Sequence, residues 1–234
     1  MNELIFFATT FVFLALIIAI YKIFGKTGVH VYTVFSTLIC NIGSLKCVDI
    51  FGCPITPGII FYASTYLATD ILSENHGKKE AKKAVRYSFA IMMIWMLATQ
   101  AVLLFKPNKG DVFGPHLDAI LGFSPRLFIA SSAAFLLSQM FDVFMYHFIW
   151  KKTGNNKTKL YLRNNVATIL SQAIDTATVI IGGFSGVYTT QTLIGVMISS
   201  FLFKSLIALL DTPFLYIARM LKTNVIKAGV LHTG

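Results

Sequence analysis

Runs of apolar residues, each long enough to cross a bilayer, follow one another along almost the whole chain. Only short polar breaks separate them. A helical span needs about 20 residues to cross about 30 Å of hydrocarbon. Seven stretches meet that need, at 4–24, 29–49, 56–74, 87–105, 126–150, 163–183 and 189–218. Backbone polar groups in lipid must be satisfied within the segment, so such runs become helices. The expected fold is all-α, a polytopic membrane helical bundle with seven spans in one integral membrane domain, 1–234. Only 13% of residues are charged, where a soluble domain carries about a quarter. The second span is the most polar, through "CNIGSLKCVDIFGCP", and Pro213 in the last predicts a kink or an interfacial end. The first run, "NELIFFATTFVFLALIIAIY", has no basic residue before it and reads as a span rather than a cleaved leader.

Charge placement tests the count. With alternating spans, one side receives fifteen of the twenty lysines and arginines, from Lys22 and Lys26 through the breaks 78–86 and 151–163 to Arg219, Lys222 and Lys227. The other side receives Lys46, Lys106, Lys109 and Arg126. Basic residues mark the cytoplasmic side. This predicts seven spans with the N-terminus outside and the C-terminus in the cytoplasm. The net charge of +10 is then a topology signal and argues against a nucleic-acid partner. The outer break "KPNKGDVFGPHLDAILGFSPR" has room for a short interfacial helix or lid.

Several motifs fail. "FGKTG" at 24–28 lacks the earlier glycine of a phosphate loop, because Ile20 stands there. "NKT" at 156–158 falls on the cytoplasmic side, and "GGFSG" at 182–186 lies at a helix end. Cys40, Cys47 and Cys53 have no metal spacing and read as small apolar side chains, with a Cys47–Cys53 disulfide as the alternative. No cofactor or metal is expected, and no enzyme motif appears.

The informative residues are polar ones inside the apolar runs. "LLSQMFD" (136–142) and "ILSQAID" (169–175) each place an aspartate three residues after a glutamine. A carboxylate at bilayer centre costs about 2.5–3.5 kcal/mol on insertion scales, so it marks a cavity, a partner or a substrate. Asp142 lies roughly 15 Å from its helix's cytoplasmic end and Asp175 roughly 20 Å, at 1.5 Å per residue. On an antiparallel hairpin the two reach one level, where they could face one site beside Gln139 and Gln172. Asp70, Asn41 and Lys204 join the set, and Asp211 falls near the cytoplasmic interface. Lys204 reads as the only basic residue deep in a span. Carboxylates and amides suit a planar edge rich in N–H donors, with Phe135, Tyr146, Phe184 and Phe201 as stacking candidates.

Four segments, "FYASTYLATDILSENHG", "SQMFDVFMYHFI", "SQAIDTATVIIGGF" and "FKSLIALLDTPFLYI", resemble in order the queuosine precursor transporter family, also described as vitamin uptake transporters. The resemblance covers about 29–220. It implies a six-helix transporter core there, preceded by an extra helix at 4–24. It also implies import of 7-deazaguanine compounds (7-cyano-7-deazaguanine, 7-aminomethyl-7-deazaguanine or queuine). The resemblance places Asp70, Gln139, Asp142, Asp175 and Lys204 among the family's recurrent polar positions, and with Asn41 and Gln172 from the polar set they make the expected substrate site. At the cytoplasmic (inner) membrane of a bacterium, Asp142 and Asp175 would hold the N–H edge, Gln139 and Gln172 would orient the base, and Lys204 would meet its carbonyl oxygen or balance a carboxylate. The expected partners are that small molecule and the lipid bilayer, with a homodimer or an energising module left open. Trapping, proton coupling through an aspartate and an energising module all remain compatible with the missing ATPase motif. Other readings are a binding subunit for another vitamin or nucleobase, an intramembrane enzyme using Asp142 and Asp175, and a structural membrane protein.

Overall fold

The computed structural model describes residues 1–122, 125–186 and 189–231. The side chains of 223–231, Lys227 among them, lie outside the description. Seven α-helices dominate the described residues. They are α1 (Asn2–Gly43), α2 (Gly58–His76), α3 (Lys78–Leu103), α4 (Gly114–Leu121), α5 (Pro125–Thr153), α6 (Leu160–Phe184) and α7 (Thr190–Leu231). Among the described residues, five helices are long and apolar enough to cross a membrane: α1, α3, α5, α6 and α7.

The 42 residues of α1 do not form one rod. Gly25 leaves helical geometry, at φ 59° and ψ −146°, where a glycine is at home. The chain reverses there, because the Tyr32 hydroxyl reaches the Phe13 carbonyl at 3.1 Å. Residues 2–24 and 26–43 thus form an antiparallel pair. Gly28 permits the close contact, since a Cβ there would lie 2.8 Å from the Ile20 side chain.

The second run ends at Gly43, not at 49. Beyond it stands an antiparallel hairpin, β1 (Val48–Ile50) and β2 (Cys53–Ile55). Phe51 (φ 51°) and Gly52 (φ 76°) turn it, the paired positive φ values of a tight hairpin turn. Apolar residues at every second position suit a half-buried strand, and Ile50 and Ile55 are buried. The cysteines are free thiols.

α2 is absent from the five because it carries Asp70, Glu74 and His76 over only 19 residues. It survives by being surrounded. Residues 63–75 are buried throughout, and α2 packs on α1, α3, α5 and α7. Its entry is fixed by a glycine crossing, where a Cβ on Gly58 would strike the Ser44 hydroxyl at 2.3 Å and the Cys40 carbonyl at 2.6 Å.

The loops sort to two ends. Asn2 donates to the Asp49 carbonyl and the Phe51 amide donates to Glu3, so the chain start and the hairpin share one end. At the other, Tyr21 meets His76, Lys26 meets Glu80, and Arg219 donates to Asn155. The break between α3 and α5 contains a short exposed helix, α4, whose start is held by Asp111 accepting from the Phe113 and Gly114 amides. α7 continues through Pro213.

Candidate functional site

A cavity of about 440 Å³ opens among α1, α2, α3, α5, α6 and α7. It runs from the hairpin side, at Cys47, Pro54 and Ile55, down to Tyr62. The volume suits a small organic ligand. Its walls are mostly apolar and flat, with Met92, Trp95, Phe128, Phe135 and Phe184. Its polar groups include Asn41, Ser44, Asp175, Thr176, Ser200 and Lys204.

Asp175 and Lys204 form the centre. The Lys204 ammonium donates to Asp175 Oδ2 at 2.5 Å and to Thr176 Oγ1 at 3.4 Å, and lies 5.1 Å from the Tyr62 ring centre. The Tyr62 hydroxyl donates to Asp175 Oδ1, and Ser138 adds a second contact at 3.4 Å. Asp175 is therefore held from α2, α5 and α7 at once. Such a pair sets a strong donor and a strong acceptor side by side in a dry wall. A flat ligand whose edge alternates acceptor and donor fits that arrangement. Asn41 donates one amide hydrogen to the Thr37 carbonyl at 3.0 Å. A primary amide has a second N–H and a carbonyl oxygen besides.

Beneath the cavity lies a seal. Gln139 of α5 donates to Thr65 Oγ1 at 2.7 Å and accepts from Thr69 Oγ1 at 3.2 Å. Tyr66 donates to Ser138 at 3.0 Å. Below the seal come Asp70, Asp142 and Asp211, all shut off from solvent. Lowest is Glu74, held by the Arg163 fork at 2.7–3.0 Å, by the Tyr146 hydroxyl at 2.7 Å and by Arg219 at 3.0 Å.

A family model described as "Putative vitamin uptake transporter" matches residues 56–218. The "Probable queuosine precursor transporter" of Bacillus subtilis (strain 168) is 34% identical over 220 residues, 94% of this chain and 95% of that one. The chain belongs to the vitamin uptake transporter family. No solved structure matches it. It is a multi-pass membrane transporter, not an enzyme.

Of the residues singled out in the sequence, the transporter brings Asn41, Asp175 and Lys204 to the cavity. Asp70, Gln139, Asp142 and Gln172 are not in its lining. The expectation that Asp142 and Asp175 face one site is corrected. Asp142 accepts from Ser171 at 3.0 Å, one helical turn before Asp175 and below the seal. Gln139 spends its amide on α2, and Gln172 is wholly buried with no partner at either amide atom. Among the aromatic candidates, Phe135 and Phe184 line the cavity, whereas Tyr146 binds Glu74. A second buried basic residue, Arg163, lies in the first turn of α6 rather than deep in a span.

Sequence reading missed Tyr62 and Trp95. Each looks like any membrane aromatic, and only packing sets them against Lys204 and the cavity. It also missed the Glu74–Arg163 pair, because both stand next to basic breaks and read as loop charges.

Proposed function

We propose that the cavity binds a queuosine precursor and that the protein imports it through the cytoplasmic membrane of a bacterium. Candidate substrates are 7-cyano-7-deazaguanine, 7-aminomethyl-7-deazaguanine and queuine. The observation that carries this reading is the Asp175–Lys204 pair on the cavity floor. A guanine-like edge offers a carbonyl oxygen next to N–H donors. Lys204 donates to the carbonyl oxygen, and Asp175 accepts from the neighbouring N–H groups. Asn41 meets a second edge, while Trp95, Phe128 and Phe135 cover the faces of the base. Adenine presents the reverse edge and leaves both charges unmatched, which is how a polar site rejects an analogue. Asp142 and Gln139 act below the substrate rather than on it. The name of the relative from Bacillus subtilis supports the substrate class.

The same reading gives seven crossings. α1 contributes two by its reversal at Gly25, and α2 crosses inside the bundle. The end bearing the hairpin and α4 faces outward, and the basic breaks face the cytoplasm. The cavity, bounded by the hairpin and sealed below by Gln139, is then open to the outside.

The test is rescue of a bacterial strain that cannot make queuosine and lacks its own importer. The strain must be able to process each compound supplied. Expression of this protein with nanomolar precursor restores queuosine to tRNA. No rescue by any of the three, with the protein present in the membrane, overturns the substrate assignment.

A further inference from the structure

The three carboxylates below the seal have no cation. Asp70 on α2, Asp142 on α5 and Asp211 on α7 are each 0% exposed. Among the described residues none of them has a basic partner. Lys204 is taken by Asp175 above, and Arg163 and Arg219 by Glu74 below. Each aspartate has one weak or neutral donor: Thr168 to Asp70 at 3.4 Å, Ser171 to Asp142 at 3.0 Å, and Asn164 to Asp211 at 2.9 Å. Each also keeps one buried oxygen without a partner, namely Asp70 Oδ1, Asp142 Oδ2 and Asp211 Oδ2.

Asp70 and Asp142 are reached from the same turn of α6, where Thr168 donates to one and Ser171 to the other. Two ionised carboxylates so close in a buried layer without a cation would repel, which favours a proton on one of the two. Asp70 Oδ1 and Asp142 Oδ2 are the oxygens left to share it. A metal ion fits less well, because no three acidic, histidine or cysteine side chains among the described residues converge on one point. The same helices carry the seal. Thr69 and Asp70 are neighbours on α2, and Gln139 lies one turn from Asp142 on α5. A path that leaves the cavity past Gln139 parts α2 from α5, and with them the two carboxyl groups.

We propose that Asp70 and Asp142 form a proton site that couples transport, taking one proton from outer-side water that enters with the substrate, holding it while the seal is shut, and giving it to the cytoplasm when substrate passage parts α2 from α5 on that side. No electron moves: an O–H bond on one carboxyl breaks, and water on the opened side accepts the proton. Asp211 faces the pair from α7, with Glu74, Tyr146, Arg163 and Arg219 one layer below and the Asp175–Lys204 pair one layer above. Buried carboxylates serve as relays in this way in pumps and transporters. The proposal rests on the importer reading, and two measurements separate them.

The first is infrared difference spectroscopy of the full-length protein in lipid, without substrate. A protonated carboxyl C=O band is present at neutral pH and is lost in both Asp70→Asn and Asp142→Asn. Absence of the band, or its survival in both variants, overturns the proton site whatever the substrate. The second uses liposomes holding the protein and radiolabelled 7-cyano-7-deazaguanine. An acidic outside raises initial uptake several-fold, and a protonophore abolishes the gain. Asp142→Asn loses the gain but keeps exchange of label against preloaded substrate, which also shows that it folds. Uptake indifferent to the pH gradient, or driven only by sodium, overturns the coupling. No uptake or exchange by wild type, with the band present, overturns the substrate reading and leaves the proton site standing.

Discussion

Two buried ion pairs lie in the bundle, and their chemistry divides the labour. Glu74 is gripped by the planar fork of Arg163, by Arg219 and by a tyrosine hydroxyl, and the Arg163 guanidinium stacks 4.5 Å from the Trp150 ring centre. Asp175 meets a single lysine at the edge of a cavity. An arginine fork has its geometry fixed in advance, whereas a lysine is a point charge on a flexible stem. The first pair is built to stay closed. On the proposed reading the second exchanges its partner for a ligand without leaving either charge bare. A buried carboxylate alone does not mark a binding site; one whose cation can turn aside does.

The comparison breaks most visibly at the locked pair. Arg163→Met leaves Glu74 with a weaker cation set in a dry layer, and losing one partner of a buried pair costs about 3–5 kcal/mol. Thermal unfolding in detergent should shift down strongly, and membrane yield should fall. Asp175→Asn should leave melting far less changed. Its loss is in binding, on the order of 1.5–3 kcal/mol for a hydrogen bond to a charged group, or about 10–100-fold in Kd. Lys204→Arg should not restore wild-type affinity, because the fork does not reproduce the swinging ammonium; equilibrium binding of labelled precursor checks both. Gly58→Ala tests the frame above the pair. Its Cβ would meet Ser44 Oγ at 2.3 Å, and overpacking of that kind costs about 1–3 kcal/mol in stability. Trp95→Ala is the mildest, removing a stacking face worth about 0.5–1.5 kcal/mol, or up to about tenfold in Kd.

The apolar runs foretold most of this bundle because lipid imposes one rule on every spanning segment. The reversal at Gly25 was legible for the same reason, since Lys22 and Lys26 interrupt two runs that are each long enough to cross. The hairpin at 48–55 was not, because three-residue strands give no period to read. Within the site, Asp175 and Lys204 stood out because charge in an apolar run is costly wherever it sits. The sequence did not separate Asp142 from Asp175. Both follow a glutamine by three residues, and only the relative height of α5 and α6 puts one on the cavity and the other beneath Gln139. Glu74 and Arg163 stayed hidden because each borders a loop, so their burial comes from α2 sinking between its neighbours.

α2 has a bearing on how the protein is made. Its 19 residues carry two carboxylates and fall short of the apolarity that lets a helix enter lipid unaided. The arginine that matches Glu74 and the threonine, serine and asparagine that solvate the aspartates all belong to segments synthesised later. During synthesis the segment 58–76 therefore waits, held at the membrane by its neighbours, until residues near 163 and 219 emerge. The centre of the bundle is the last part to settle, and a chain released before α7 would lack the means to keep its own core in the bilayer.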